Sequence, residues 1–394
     1  MKGQVLKIKL AKFLDEYLGR ISIRLCRALG RRSFKETSRK ILFIKFWGIG
    51  SIVLSEPALR WLRRNYENCE LHYLTLSDNA ELFKMMPDVT KVYLLPFRNP
   101  FRFVYENLRL LRRLRRERYQ LVFDAEFFAN YSAIVAWLTK APEIVGFSRN
   151  SNAKRLLLDI GISFQDKLHT SQQFLNLVQQ GLGQQPQPIR PSLKPPGHLL
   201  LRNWPFLREG YIVMNINASS LALERRWPRE RFVKLADFLL STFDCHLILI
   251  GSENEAAYVR PVAQALNQYE RLHDLTGQVT LSGLALLIRG AICLISNDSG
   301  PIHLASAFAT PTVGFYGPET PDRYGPLSPR NLVFYRQLWC SPCMSVENAK
   351  TVNCINDLAC MQDIQVKEVL PQVESFIREV YHPRMPRKQD LIDV

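Results

Sequence analysis

The sequence predicts an α/β protein of two doubly wound lobes, each built on a parallel sheet, with a ligand cleft between them. Three observations carry this expectation. Short apolar runs alternate with helical patterns in two separate series. A proline-rich stretch, residues 183–205, divides the series. And 394 residues exceed one ordinary domain but fit two lobes of roughly 150–200 residues.

Residues 1–38 form a basic amphipathic segment. Leu6, Leu10, Phe13, Leu14, Tyr17, Ile21, Leu25 and Leu29 recur every three or four positions, a helical rhythm. Lysines and arginines fill much of the remainder. Such a helix either lies in a membrane interface or packs on the first lobe. Residues 39–182 form that lobe. Ile41–Ile44 reads as a buried parallel strand, followed by the turn Gly48-Ile49-Gly50 and a helix through Pro57–Leu62. Leu71–Leu74 and Val89–Leu95 are further strands, 80–85 and the basic stretch 104–118 are helices, and Leu121–Asp124 is a strand ending in an acid. Residues 183–205 contain Gly183, Pro186, Pro188, Pro191, Pro195, Pro196, Gly197 and Pro205, and their lost donors and fixed φ suit a linker.

In the second lobe, 206–362, the alternation restarts. Strands are expected at 211–216, 246–250, 292–296, 312–315 and 332–335, and helices at 229–241, 254–267, 281–289 and 301–308. A final helix, 363–381, is a candidate to cross back to the first lobe, and 382–394 is a tail. Ligands of such sheets sit beyond the carboxyl ends of the strands.

Composition narrows the partners. Residues 1–200 carry 33 Lys and Arg against 16 Asp and Glu, while the remainder carries 19 against 20. A basic lobe beside a neutral one points to an anionic partner. Interleaved aromatics and a recognised nucleic-acid module are missing, so nucleic acid is not expected. The first 40 residues lack the apolar core and cleavage site of a secretion signal, and no run reaches the ~20 apolar residues of a spanning helix. The expected place is the cytoplasm, with peripheral contact at the inner face of a membrane. There the eight cysteines should be thiols or metal ligands.

The strongest local signal is Ser296-Asn297-Asp298-Ser299-Gly300-Pro301-Ile302-His303. An apolar strand runs into a small polar turn and then a helix with Pro301 in its first turn, where a missing donor costs little. Free first-turn N–H groups and the positive helix end suit phosphate oxygens. Gly300 permits close approach, and His303 is placed to donate. The alternative is an ordinary helix capped by Asp298 or Ser299. Arg225-Arg226-Trp227-Pro228 precedes the helix of 229–241, and Tyr316-Gly317-Pro318-Glu319-Thr320-Pro321 follows a later strand.

In the order and spacing of these motifs, from about Lys40 to Ile377, the chain resembles glycosyltransferase family 9, which includes the ADP-heptose:lipopolysaccharide heptosyltransferases. The Asp-Ser-Gly-x-x-His run followed by Gly-Pro-x-x-Pro is the most specific part. The resemblance implies the GT-B architecture, two Rossmann-like lobes with an interdomain cleft. It also implies inverting, metal-independent transfer of a sugar, foremost heptose from ADP-heptose, to a lipopolysaccharide inner core or related anionic glycolipid. By position, Asp298, Ser299, Gly300 and His303 would hold the nucleotide and its pyrophosphate. Arg225, with Arg226 beside it, would stabilise the departing diphosphate. Glu255 is a candidate ribose or adenine contact. Gly48, Gly50 and Asp124 would form the phosphate or acceptor turn, and phosphates and acid sugars on the acceptor would account for the basic lobe.

The chain departs from the family at Ser51, where many members carry Asp as general base. A serine hydroxyl with no neighbouring base cannot accept a proton as a carboxylate does. Either Glu56, Asp124 or Glu126 substitutes, or leaving-group stabilisation suffices at reduced rate, or catalysis is lost and the protein binds a nucleotide sugar or glycan. A sugar-nucleotide epimerase of the same architecture is the other alternative. Cys340-x2-Cys343-x10-Cys354-x5-Cys360 has the ligand types for structural zinc. A redox pair or packed thiols fit the spacing equally. No cofactor is otherwise required.

Overall fold

The computed structural model describes residues 2–66, 68–96, 100–127, 129–149, 152–197, 199–200, 204–218, 222–346, 354–381 and 391–392. Most of the tail 382–394 therefore lies outside the described residues. The chain divides into two compact units at Pro191/Ser192.

The first unit opens with α1 (Lys2–Leu29) and continues β1 (Ser38–Ile44), α2 (Ile49–Asn65), β2 (Glu70–Leu76), β3 (Lys91–Leu95), α3 (Pro100–Arg116), β4 (Tyr119–Asp124), α4 (Asn130–Leu138), β5 (Glu143–Ser148), β6 (Ile160–Ser163) and α5 (Thr170–Gly181). Its six strands lie in the order β3-β2-β1-β4-β5-β6, all parallel. Central strands of such a sheet are covered on both faces, which is why Ile41–Ile44 is continuously apolar and buried. One layer holds Phe43 against Tyr73, Phe123 and Phe174. The other joins Leu42, Ile44, Leu74, Val122 and Ile144 to Leu110 and Leu114 of α3 and to Val135 and Ala136 of α4. Residues 80–85, expected as a helix, lie in a 3-10 segment, Ser77–Met85.

The second unit holds β7 (Leu199–Leu200), β8 (Tyr211–Asn215), α6 (Arg229–Thr242), β9 (His246–Leu249), α7 (Ala256–Ala265), β10 (Leu272–Asp274), α8 (Leu281–Gly290), β11 (Cys293–Asn297), α9 (Gly300–Ala307), β12 (Thr312–Tyr316), α10 (Pro321–Tyr324), β13 (Asn331–Tyr335), α11 (Ala359–Gln362), α12 (Val366–Val380) and β14 (Leu391–Ile392). The sheet order β10-β9-β8-β11-β12-β13 repeats the first unit's topology, again wholly parallel. β7 and β14 form a separate short parallel pair. Within this unit α12 packs on α6 and β13, burying Val369, Val373 and Ile377.

Trp227 anchors the second core. It is fully buried, stacks on Phe315 at 4.4 Å and 11°, and meets Phe232 edge-on at 5.0 Å. Its indole N–H donates to the Ile364 carbonyl at 2.9 Å, so the buried polar end is satisfied. Trp227→Ala is predicted to remove about 3–5 kcal/mol from the unfolding free energy of this unit. Replacing Trp339, which is 82% exposed, should change it by less than about 0.5 kcal/mol. Urea denaturation followed by circular dichroism compares the two.

Candidate functional site

In each sheet the strand order reverses beside the first strand: between β8 and β11 in the second unit, and between β1 and β4 in the first. Loops leaving the carboxyl ends at such a point diverge and leave a crevice. The motif residues gather at these two points.

In the second unit the carboxyl end of β8 is tied to the carboxyl end of β11 and the turn that follows it. The Asn215 amide donates to Ser296 Oγ at 3.0 Å and Ser299 Oγ at 2.8 Å. Asn297 donates to the Ile216 carbonyl at 2.8 Å and accepts from the Trp227 N–H at 2.9 Å. Ser299 holds the N-cap position of α9, but its side chain makes no capping bond and instead donates to the Asn297 carbonyl at 3.1 Å. The alternative of a helix capped by its own side chain is thus not what forms. Pro301 lies in the first turn. A Cβ built on Gly300 would meet no protein atom within 4 Å. The positive end of α9 therefore presents backbone donors beside open space. His303 is buried one turn in, its ring 6.2 Å from that of Tyr324.

Arg225 and Asp298 come together. The guanidinium Nη1 lies 3.1 Å from Asp298 Oδ2, and both side chains are buried. The pair joins the 3-10 turn Leu223–Arg225 to the approach of α9. Each charge answers the other, so Asp298 brings no bare negative charge to a phosphate site. Arg226 is separate: its guanidinium lies 3.8 Å over the Tyr258 ring. Burial lowers its pKa from the ordinary value, while Tyr258 and Glu255 oppose that shift. Glu255 closes a capping box, its Oε2 accepting from the Ser252 N–H and hydroxyl at 2.8 Å each. The Glu319–Arg323 pair, 2.6 Å apart and buried, stiffens the turn after β12.

In the first unit Gly48 caps α2 with φ +84°, a left-handed conformation that favours glycine. Gly50 and Ser51 follow in the first turn of α2, with Ser51 buried. The three carboxylates considered as its substitutes are all cation-paired. Glu56 is 3.3 Å from Arg60 Nε. Asp124 is 2.9 Å from Lys154 Nζ, and neither side chain is exposed. Burial pushes the Asp124 carboxyl up, against the pull of Lys154. Glu126 accepts from the Phe46 N–H at 2.6 Å, the Trp47 N–H at 3.0 Å and Lys45 Nζ at 3.0 Å. It thereby fixes the loop that leads to Gly48.

Cys340, Cys343, Cys354 and Cys360 border one cavity of about 150 Å³, and all are free thiols. Burial, reinforced by the other three sulfurs, pushes the Cys360 thiol up to about 12. Among the described residues no three His, Cys, Asp or Glu side chains converge as metal ligands.

Sequence reasoning missed Asn215, Tyr258 and Lys154. Asn215 ends β8 as Ser296 and Asn297 end β11, a polar residue closing an apolar strand, which is the signal that marks it. Tyr258 and Lys154 had no local signal, because their partners are distant in sequence.

The pattern of glycosyltransferase family 9 (heptosyltransferase) matches residues 107–352. Lipopolysaccharide heptosyltransferase 2 of Escherichia coli K12 is 26% identical over 310 residues, covering 73% of this chain and 86% of that protein. The solved E. coli ADP-heptose lps heptosyltransferase II superposes with a TM-score of 0.68 at 21% identity, covering 86% of this chain and 99% of that one. A second E. coli heptosyltransferase, WaaC, solved with ADP, gives 0.67 at 18% identity over 87% and 100%. Two parallel-sheet units of GT-B type, the gathered motifs and the family match over more than half the chain agree: this chain belongs to glycosyltransferase family 9, and it is a glycosyltransferase.

Proposed function

We propose that the protein transfers heptose from ADP-heptose, with inversion, to an anionic glycolipid of the lipopolysaccharide inner-core type. The observation that carries this reading is the N-terminus of α9, which lacks a side-chain cap and opens onto free space at the β8/β11 switch point. Backbone N–H groups there suit a pyrophosphate. Arg226 and His303 add donors from either side, and the Arg225–Asp298 pair acts as positioner of the turn. The ADP and ADP-heptose named for the similar enzymes support the choice of donor.

In the proposed step an acceptor hydroxyl attacks the anomeric carbon, the bond to the diphosphate oxygen breaks, and ADP departs. Negative charge grows on the diphosphate as it leaves. Preorganised donors and the helix end stabilise that charge more than they stabilise bound substrate. The hydroxyl proton passes to a carboxylate of the first unit, for which Glu126 is the candidate, since its carboxylate lies on the Lys45–Gly48 loop beside Ser51 in the chain.

One feature favours a second reading, a nucleotide-sugar or glycan binder without turnover. Ser51 stands where many family members carry Asp, and Glu56, Asp124 and Glu126 are each held by a cation. If wild type transfers nothing while Ser51→Asp does, the second reading replaces the first. The leading reading expects wild-type transfer, detected as ADP release that depends on acceptor.

Gly300→Val should weaken ADP binding by about tenfold or more, because its side chain enters space that the phosphates need. Since no protein atom opposes it, the melting temperature without ligand should hold within about 2 °C. Calorimetric titration with ADP and a thermal melt check both halves. Arg225→Met should instead cost about 3–5 kcal/mol of stability, by leaving Asp298 buried and unpaired. Arg225→Met with Asp298→Leu should recover much of that loss in urea unfolding.

A further inference from the structure

We propose that α1 docks the first unit on an anionic phospholipid surface. The helix is rigidly mounted. Asp15 caps α4, accepting from the N–H of Asn130 at 2.9 Å and of Tyr131 at 2.7 Å. The Asn130 amide returns a bond to the Asp15 carbonyl at 3.0 Å. Gly19 lets the helices close, since a Cβ there would come within 2.7 Å of Asn130 Cβ. Ile23 is fully buried with Ala133 and Leu157.

The other side of α1 is apolar and uncovered. Tyr17, Leu18, Ile21, Leu25 and Leu29 are 55–77% exposed. At about 100° per residue they fall within an arc of roughly 120°. Exposed Arg20, Arg24 and Arg27 run along one edge of that arc. Burying such an arc among acyl chains, with cations at the headgroups, is the physics of a helix lying in an interface. Among the described residues no helix is long and apolar enough to cross a membrane, so α1 would lie on the bilayer.

Charge selects the occupant. α3 packs on α4 as α1 does, and it exposes Arg109, Arg112, Arg113 and Arg116. A second copy laid on this arc would bring its own arginines beside these, whereas anionic headgroups complement both helices. α4 begins just past the carboxyl end of β4. Docking through α1 therefore keeps the Glu126 loop, and the Gly48 turn it fixes, close to the lipid.

Vesicle flotation of the full chain tests this without donor or acceptor, so it stands or falls apart from sugar transfer. Wild type should float with phosphatidylcholine–phosphatidylglycerol vesicles (about 3:1), not with phosphatidylcholine alone, and should release in about 0.5 M salt. Leu18→Ser/Leu25→Ser and Arg20→Gln/Arg24→Gln should each lower partitioning about tenfold or more. These positions are exposed, so the melting temperature should stay unchanged. Failure of wild type to float on anionic vesicles, or full flotation of the leucine variant, overturns the proposal. So does a wild-type dimer in sedimentation that the leucine substitutions convert to monomer, since the face would then join two copies.

Discussion

The second unit depends on where Ser299 spends its hydroxyl. An N-cap serine ordinarily bonds back into its own helix and satisfies a first-turn N–H. Here Asn215 reaches across from the neighbouring strand and draws the hydroxyl away, and Ser299 donates on to the Asn297 carbonyl. The α9 donors are left for something else. Pro301 removes one of them at little cost, and Gly300 keeps the approach clear. Everything else near the turn is support. Asn297 stitches three chain segments together, the Arg225–Asp298 pair bolts the preceding turn to the helix entry, and Trp227 fills the core beneath.

The first unit uses its charges differently. Glu126 and Asp124 sit at the end of β4, where an acceptor-binding lobe would want reactive groups, yet both are tied to lysines. Buried pairs of this kind define loop geometry more than they add stability. In the proposed reading, where the resemblance puts Ser51 at the family's Asp position, proton transfer would rely on a carboxylate already engaged in shaping the loop. This predicts chemistry carried mainly by the donor side, through stabilisation of the leaving diphosphate.

Much of the fold was legible from periodicity. Buried central strands such as Ile41–Ile44 and Leu121–Asp124 announce themselves as apolar runs, and the repeat of strand and helix across a proline-rich break separates the units. β5, β6 and β10 were not assigned. Gly146 and Gly161 interrupt the apolar pattern of the first two, and β10 is a three-residue, half-buried edge strand. The site was legible in part. The Asn297–His303 turn was visible as a motif because its residues are adjacent. Arg225 read as a phosphate-binding cation, since the chain alone cannot reveal that Asp298, 73 positions later, occupies it. Glu255 read as a ligand contact, whereas its carboxylate accepts from Ser252 at the head of its own helix. Long-range pairings decide the roles of charged groups, and local sequence does not encode them.

Hydrogen exchange of the backbone amides in residues 299–303, with and without ADP, tests the central claim most directly. Saturating ADP should slow exchange at Ser299 and Gly300 by about tenfold or more, as phosphate oxygens take up their N–H groups. Unchanged exchange at these amides in a protein that demonstrably binds ADP would contradict the account.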